Sequence, residues 1–244
     1  MNQSFLFTLL SVLTIVCYGC LSVFVCRHQT LHSGKCGLGK SFLMPLLMLF
    51  LLFSLCSPWR FLLTGRPVPG TDAAVLFPRS GVWLLVTLGL LAGGAGDTLL
   101  EIGDRYFAGG LVSFLIGHFF YLAASLLQIA DGGAFRPWIL LLLAGYLPVI
   151  LTVGRRIVGG VSGPIRTAVT IYLTAILAMS MSAACRLFSV PAAAYVSGLA
   201  GSILFIVSDS ILAENTFLGA GKKGVMPTYT LAQALLTVGF LLAM

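Results

Sequence analysis

Uncharged apolar stretches, each about twenty residues long, recur along this 244-residue chain and are separated by short polar breaks. A helix of that length crosses the hydrocarbon core of a bilayer, whereas membrane β-strands are shorter and alternate apolar with polar residues. Charged residues make up 9% of the chain, compared with about 25% in soluble domains. The pattern therefore predicts an all-α, polytopic membrane protein and excludes a soluble globular fold.

Eight segments fit this pattern and leave little sequence for a soluble domain, so we predict one transmembrane domain over residues 1–244. The first segment lacks a basic leader and is longer than the apolar region of a signal peptide, so we expect it to be retained as a helix. The predicted spans are Ser4–Val25, Ser41–Leu63, Val82–Leu100, Phe107–Ile129, Pro137–Val153, Pro164–Cys185, Ala192–Leu212 and Pro227–Met244.

Basic residues are distributed unequally between the two sides of the membrane. Nine of the fourteen follow odd-numbered spans, namely Arg27, Lys35, Lys40, Arg105, Arg155, Arg156, Arg166, Lys222 and Lys223. Because basic residues are retained in the cytoplasm, both termini are predicted to be non-cytoplasmic, in an endoplasmic reticulum or a bacterial inner membrane alike. Their scatter between apolar segments argues against a nucleic-acid partner, which would require a basic face.

The cysteines and histidines do not predict a cofactor. Cys26, His28, His32 and Cys36 are close enough in sequence to suggest zinc, but their spacing matches no known zinc motif. The other cysteines lie in or beside apolar segments, where they behave as small hydrophobic residues. We therefore expect no metal and no cofactor.

Two aspartates inside predicted spans are the main candidates for chemistry. An ionisable side chain is costly in hydrocarbon, so it normally faces the interior of the bundle and has a function. Asp97 and Asp209 each lie about one turn from the predicted cytoplasmic end of spans three and seven, so we expect them at similar depth. Glu101 lies on the same helical face as Asp97, but at the boundary, where water can solvate it.

A short internal similarity relates the two aspartate segments. Gly96-Asp97-Thr98-Leu99-Leu100 is similar to Ser208-Asp209-Ser210-Ile211-Leu212. Spans three and seven run in the same direction, so the similarity is compatible with a parallel duplication of two four-helix halves. A shared function at one site would produce the same similarity.

Further polar side chains are predicted at comparable depth. His118 lies near the middle of span four and Tyr121 on an adjacent part of that face. Tyr172 in span six, and Tyr229 with Gln233 in span eight, enter from the cytoplasmic side. A single buried histidine is more often a hydrogen-bonded packing residue than a catalyst, but these partners favour a site.

Three arginines flank spans five and six: Arg155, Arg156 and Arg166. They are explained by topology alone. A second role is to bind a lipid phosphate, because guanidinium groups form paired hydrogen bonds with phosphate oxygens.

Taken in order, these residues resemble the YhhN family of membrane lysoplasmalogenases. The resemblance covers about two thirds of the chain. One departure is Met44-Pro45, where the family often has Lys-Pro, and it bears on how a head group is held. The matching positions are Gly96-Asp97-Thr98-Leu99-Leu100, Phe107, Gly110-Leu111, Phe114, His118, Tyr121, Tyr172, Met179, Gly201, Phe205, Ser208-Asp209-Ser210, Leu212-Ala213, Tyr229 and Gln233.

The resemblance implies an eight-helix fold that hydrolyses the vinyl ether bond of alkenyl lysophospholipids to a fatty aldehyde and a glycerophospho-alcohol. As a hypothesis, Asp97 and Asp209 form a coupled pair in which one carboxyl is the acid and the other stays ionised. The implied partners are a lysophospholipid and the lipid bilayer, and a homo-oligomer is compatible with the sequence. The residues expected to support catalysis or bind substrate are His118, Tyr121, Tyr172, Ser208, Tyr229 and Gln233.

Two other classes of membrane protein also use paired aspartates. Gly94-Ala95-Gly96-Asp97 satisfies the Gly-x-Gly-Asp pattern of presenilin-type aspartyl proteases, but the second aspartate follows that motif instead of preceding it. A transporter or lipid-binding protein could use the two aspartates for proton coupling. Movement of a substrate across a sealed vesicle without a product would identify that class.

Overall fold

A computed structural model describes residues 3–31, 38–57, 59, 81–132, 137–221 and 223–244. Over these residues the chain is helical and contains no strand, which confirms the predicted all-α class. The regular helices are α1 (Gln3–Leu31), α2 (Leu43–Leu55), α3 (Val82–Ile102) and α4 (Phe107–Gly132), followed after an irregular segment, α5, by α6 (Gly163–Cys185), α7 (Ala192–Leu218) and α8 (Val225–Leu241). A 3₁₀ helix, Leu38–Phe42, leads into α2.

The helices have the length and composition of membrane spans. Within the described residues, five are long and apolar enough to cross a bilayer, and Gly39–Leu55 and Val225–Leu241 are shorter apolar helices. Large apolar side chains such as Phe119 and Val196 lie exposed on the outside of the bundle, as expected for surfaces that face lipid. The chain is therefore a polytopic membrane protein.

The α5 segment, residues 137–159, is not a regular helix. It consists of a 3₁₀ helix (Pro137–Tyr146), a single α-helical turn (Leu147–Val149), a π-helical turn (Ile150–Gly154) and a last α-helical turn (Arg155–Gly159). Pro148 lacks the N–H that a regular helix needs, and glycines at 145, 154 and 159 weaken helix formation. The predicted span Pro137–Val153 therefore ends six residues before the helical segment does. It is also wrong in treating the segment as one regular helix.

Several predicted boundaries are also wrong. Helix α7 continues to Leu218, six residues beyond the prediction, and ends where Gly219 adopts a left-handed conformation. Asp209 is consequently more than two turns from the end of its helix instead of one. Helix α2 ends at Leu55, shortly before Pro58, and a residue that precedes a proline avoids the α conformation. Residues 58 and 60–63 of the predicted span Ser41–Leu63 lie outside the described residues.

Glycines bring α7 and α8 into close contact. A Cβ atom at Gly201 would lie 2.7 Å from the backbone nitrogen of Leu236, and one at Gly239 would lie 2.5 Å from the backbone nitrogen of Gly198. Small residues promote such packing in membranes, where no hydrophobic force holds helices together. The α3–α4 pair is the other extensive helix hairpin, and the parallel duplication that would relate the two hairpins stays a prediction.

Candidate active site

The two aspartates line one cavity, although they come from helices that are far apart in the sequence. The cavity has a volume of about 270 Å³ and lies between the end of α3, the middle of α7 and the start of α8. Lys40, Glu101 and Asn215 also line the cavity, so many of its lining residues are polar. Lys40 reaches it from the 3₁₀ helix before α2. The structure thus brings the two carboxyl groups to a common space.

Asp97 is fully buried and has two polar partners. Tyr229 donates a hydrogen bond of 2.8 Å to Asp97 Oδ2. The Lys40 ammonium lies 3.1 Å from Asp97 Oδ1 and 5.8 Å from the centre of the Tyr229 ring. An adjacent ammonium and a donated hydrogen bond both stabilise a carboxylate in its ionised form.

A chain of hydrogen bonds extends from Tyr229 into the bundle. Gln233, one turn further along α8, donates from Nε2 to the Tyr229 hydroxyl at 3.4 Å. Tyr121 on α4 donates to Gln233 Oε1 at 2.9 Å, and its ring stacks on Phe240. Among the described residues, hydrogen bonds therefore connect Tyr121 and Gln233 to Asp97 through Tyr229.

Asp209 has a different set of neighbours. Tyr172 donates a hydrogen bond to Asp209 Oδ2. His118 Nε2 lies 3.1 Å from the Tyr172 hydroxyl and 3.6 Å from Asp209 Oδ2, and the imidazole packs edge-to-face against Phe205. Within the described residues, no lysine or arginine lies within ion-pairing distance of Asp209. Each aspartate thus accepts a hydrogen bond from a tyrosine. Asp97 has a lysine ammonium beside it, whereas Asp209 has a histidine ring.

The three arginines flanking spans five and six do not share one environment. Arg155 and Arg166 line a second cavity of about 360 Å³ between α5, α6 and α7, and Asp209 lines the same cavity. Arg156 instead places Nη1 3.6 Å from Oε1 of Glu214, a buried residue on α7. Two of the three predicted phosphate ligands therefore face a space shared with an aspartate.

Ser208 connects α7 to the start of α8. Its hydroxyl donates a hydrogen bond of 3.1 Å to the backbone carbonyl of Val225. Ser208 also lines the cavity that contains Asp97 and Asp209. Its position fits a supporting role.

Among the described residues, Lys40 is a polar neighbour of Asp97 that the sequence pattern does not single out, because membrane topology already accounts for its charge. It lies four residues before Met44, one helical turn from the position where the resemblance leads one to expect a lysine. Met44 is buried against Gly93 and Gly94, while the Lys40 ammonium reaches Asp97. The helical spacing between positions 40 and 44 was the available signal.

Metal ligands are not clustered in the described part of the chain, where no group of three or more His, Cys, Asp or Glu side chains could hold an ion. Of the four residues considered for zinc, His32 and Cys36 lie outside the described residues.

A sequence profile of the YhhN family matches residues 37–240, a range that contains Lys40, both aspartates and their tyrosine partners. No curated protein and no solved structure matches the chain.

Proposed function

Because the chain belongs to the YhhN family, we propose that it is a lysoplasmalogenase, which hydrolyses the vinyl ether bond of alkenyl lysophospholipids within the membrane. The observation that carries the proposal is the contrast between two carboxyl groups in one cavity. Asp97 is paired with an ammonium, whereas Asp209 accepts a hydrogen bond from a phenol and lies close to an imidazole. Paired carboxyls with different environments divide acid and base roles between them.

The contrast supports a different role for each aspartate. We assign the role of the acid to Asp209, because no lysine or arginine of the described chain lies within ion-pairing distance of it. Asp97 pairs with Lys40, and an adjacent ammonium favours the ionised form of a carboxyl, so we propose Asp97 as the group that faces the cationic intermediate. Neighbouring carboxyls also raise each other's affinity for a single shared proton.

Each step of the reaction follows from this assignment. Asp209 transfers its proton to the alkenyl carbon distal to the ether oxygen, and the π electrons form the new C–H bond. The resulting oxocarbenium ion is captured by water, which loses a proton and restores the acid form of Asp209. The hemiacetal then breaks its C–O bond to the glycerol oxygen, which takes up the hydroxyl proton, and a fatty aldehyde and a glycerophospho-alcohol are released.

Tyr172 and His118 act on the acid. The Tyr172 hydroxyl lies between Asp209 Oδ2 and His118 Nε2, so it holds the carboxyl in one orientation. His118 is buried. Because the Tyr172 hydroxyl donates its one proton to Asp209 Oδ2, His118 Nε2–H donates to the Tyr172 oxygen, and the second oxygen of Asp209 is left for the substrate.

Asp209 lies where a vinyl ether should be cleaved. The vinyl ether bond joins the polar glycerophosphate to the hydrocarbon chain. The residue that protonates it must therefore lie between a polar and an apolar binding site. Asp209 lines the cavity that contains Arg155 and Arg166, and these guanidinium groups are suited to the phosphate. The same aspartate lines the polar cavity that contains Asp97.

The test is to incubate purified protein with alkenyl, alkyl and acyl lysophospholipids of equal chain length and to measure free aldehyde and free fatty acid. We expect aldehyde from the alkenyl lipid alone, because its protonation gives a stabilised cation. The Asp209→Asn variant, which lacks the acid, serves as the control. Fatty acid from the acyl lipid would show an ordinary lysophospholipase, and movement of lysolipid across sealed vesicles without aldehyde would show a transporter.

A further inference from the structure

A third cavity also ends at Asp209, and it is almost entirely apolar. It has a volume of about 470 Å³ and lies between α4, α6 and α7. We call it the apolar groove and define it by Leu111 and Leu115 of α4, Val169 of α6, and Leu212 and Ala213 of α7. Tyr172 and Asp209 line its inner end, so the groove is continuous with the candidate active site.

The groove is long and narrow. Asp209 and Phe217 both line it and are eight residues apart on α7, which corresponds to about 12 Å along the helix. Phe107 and Phe217 pack edge-to-face, with ring centres 6.3 Å apart, at the end opposite Asp209. Each wall contributes an alanine: Ala108 from α4, Ala168 from α6 and Ala213 from α7.

One side of the groove opens toward the surface that faces lipid. Val112 of α4 is 54% exposed, and Ile165 and Ile171 of α6 are 54% and 52% exposed, and all three line the groove. In a spanning protein these side chains contact hydrocarbon. A lipid chain can therefore enter between α4 and α6 without passing through water.

We propose that this groove binds the hydrocarbon chain of a single-chain ether lipid whose ether bond lies at Asp209, an inference that rests on the proposed lysoplasmalogenase function. A peptide segment would need hydrogen-bond partners for its backbone, and the apolar walls offer almost none, whereas an alkyl chain needs none. The charged end of the same lipid fits the cavity with Arg155 and Arg166, which meets the groove at Asp209. The groove therefore sets the preference for chain length.

Filling the groove should change chain-length selectivity. Ala108→Phe or Ala168→Phe should lower kcat/KM for a long-chain alkenyl lysolipid at least about tenfold relative to a short-chain one, since each displaced methylene weakens binding. The matched control is Ala130→Phe, because Ala130 is also exposed on α4 but lines none of the described cavities. It should leave the ratio unchanged.

A binding measurement separates this inference from the proposed function. A non-cleavable alkyl-ether lysolipid with a photoreactive group near the end of its chain should label the α4 and α6 walls, and Ala168→Phe but not Ala130→Phe should abolish that labelling. Should Ala108→Phe fail to fold, Ala168→Phe alone decides the result. If Ala168→Phe lowers kcat/KM equally for the long-chain and the short-chain lipid and leaves the labelling unchanged, the proposal that the groove binds the hydrocarbon chain is wrong. The proposed hydrolase function would be unaffected by that result. Labelling of the walls by a wild-type protein that releases no aldehyde would overturn the hydrolase and leave the groove.

Discussion

The Lys40 ammonium lies 3.1 Å from Asp97 Oδ1, and the two side chains are 11% and 0% exposed. The lysine comes from the 3₁₀ helix before α2, and the aspartate from the last turns of α3. Removing one partner of such a buried pair leaves an uncompensated charge, which typically costs about 3–5 kcal/mol, whereas removing both is far less damaging. This ion pair therefore links the stability of the bundle to the charge state of the site.

Lys40→Met should lower both the unfolding temperature and the rate of aldehyde release, and Lys40→Arg should restore part of each. The double variant Lys40→Met/Asp97→Asn should unfold at a higher temperature than Lys40→Met alone, because neither charge is then left unpaired. Lys223→Met, at an exposed lysine on the same side, is the control. Normal stability of Lys40→Met would show that the pair has no role.

Asp97→Asn and Asp209→Asn should each leave a folded protein that binds lysolipid but turns it over about a hundredfold more slowly, the usual scale for a lost proton-transfer group. The double variant should be little worse than either single one, since residues that act as a unit are not additive. Glu101→Gln should be milder, because that side chain is partly exposed at the mouth of the cavity. An aspartate variant with near-normal turnover would exclude that aspartate from the mechanism.

Tyr172→Phe should reduce turnover about tenfold or more, because it removes both the hydrogen bond to Asp209 and the contact with His118. His118→Gln combined with Tyr172→Phe should add little further loss, since the two side chains act through one hydroxyl. Tyr195→Phe is the control, as Tyr195 lines a different cavity. Steady-state kinetics of the wild type, Tyr172→Phe, His118→Gln and the double variant measure the effect. If the losses in turnover of the two single variants simply add in the double variant, the two side chains do not act through one hydroxyl.

Gly201→Ala should destabilise the protein by about 1–3 kcal/mol, because its Cβ would lie 2.7 Å and 2.9 Å from backbone atoms of α8. Backbone atoms cannot move aside without separating α7 from α8. The control is Gly19→Ala on α1, where a Cβ would meet nothing within 4 Å and alanine favours the helix. Thermal unfolding in detergent should place the first variant below wild type and the second at or above it.

Membrane orientation can be measured with single cysteines in a cysteine-free background. Arg105, Arg156 and Lys223 lie at or near helix ends on one side of the bundle, and Asp131 and Ser189 lie at or near helix ends on the other side. The excess of basic residues predicts that cysteines at the first three positions react from the cytoplasm and that those at the last two do not. The reverse labelling pattern would place the termini in the cytoplasm.

The sequence by itself determined the class of fold and the candidate residues for the proposed chemistry. Long uncharged stretches leave a chain no stable alternative to membrane helices, since backbone polar groups must be satisfied inside the bilayer. Because charge is so costly there, Asp97 and Asp209 could be chosen without any knowledge of contacts. Both arguments depend on local composition, which the sequence contains directly.

Only the tertiary structure decided which partners each aspartate has. Tyr229 and Asp97 are 132 residues apart, and no periodicity along one helix reveals which face of another helix it meets. The same holds for Lys40, which local charge counting assigns to topology, and for the apolar groove, which exists only between α4, α6 and α7. The late end of α7 and the irregular α5 likewise reflect capping and backbone geometry that hydropathy does not record.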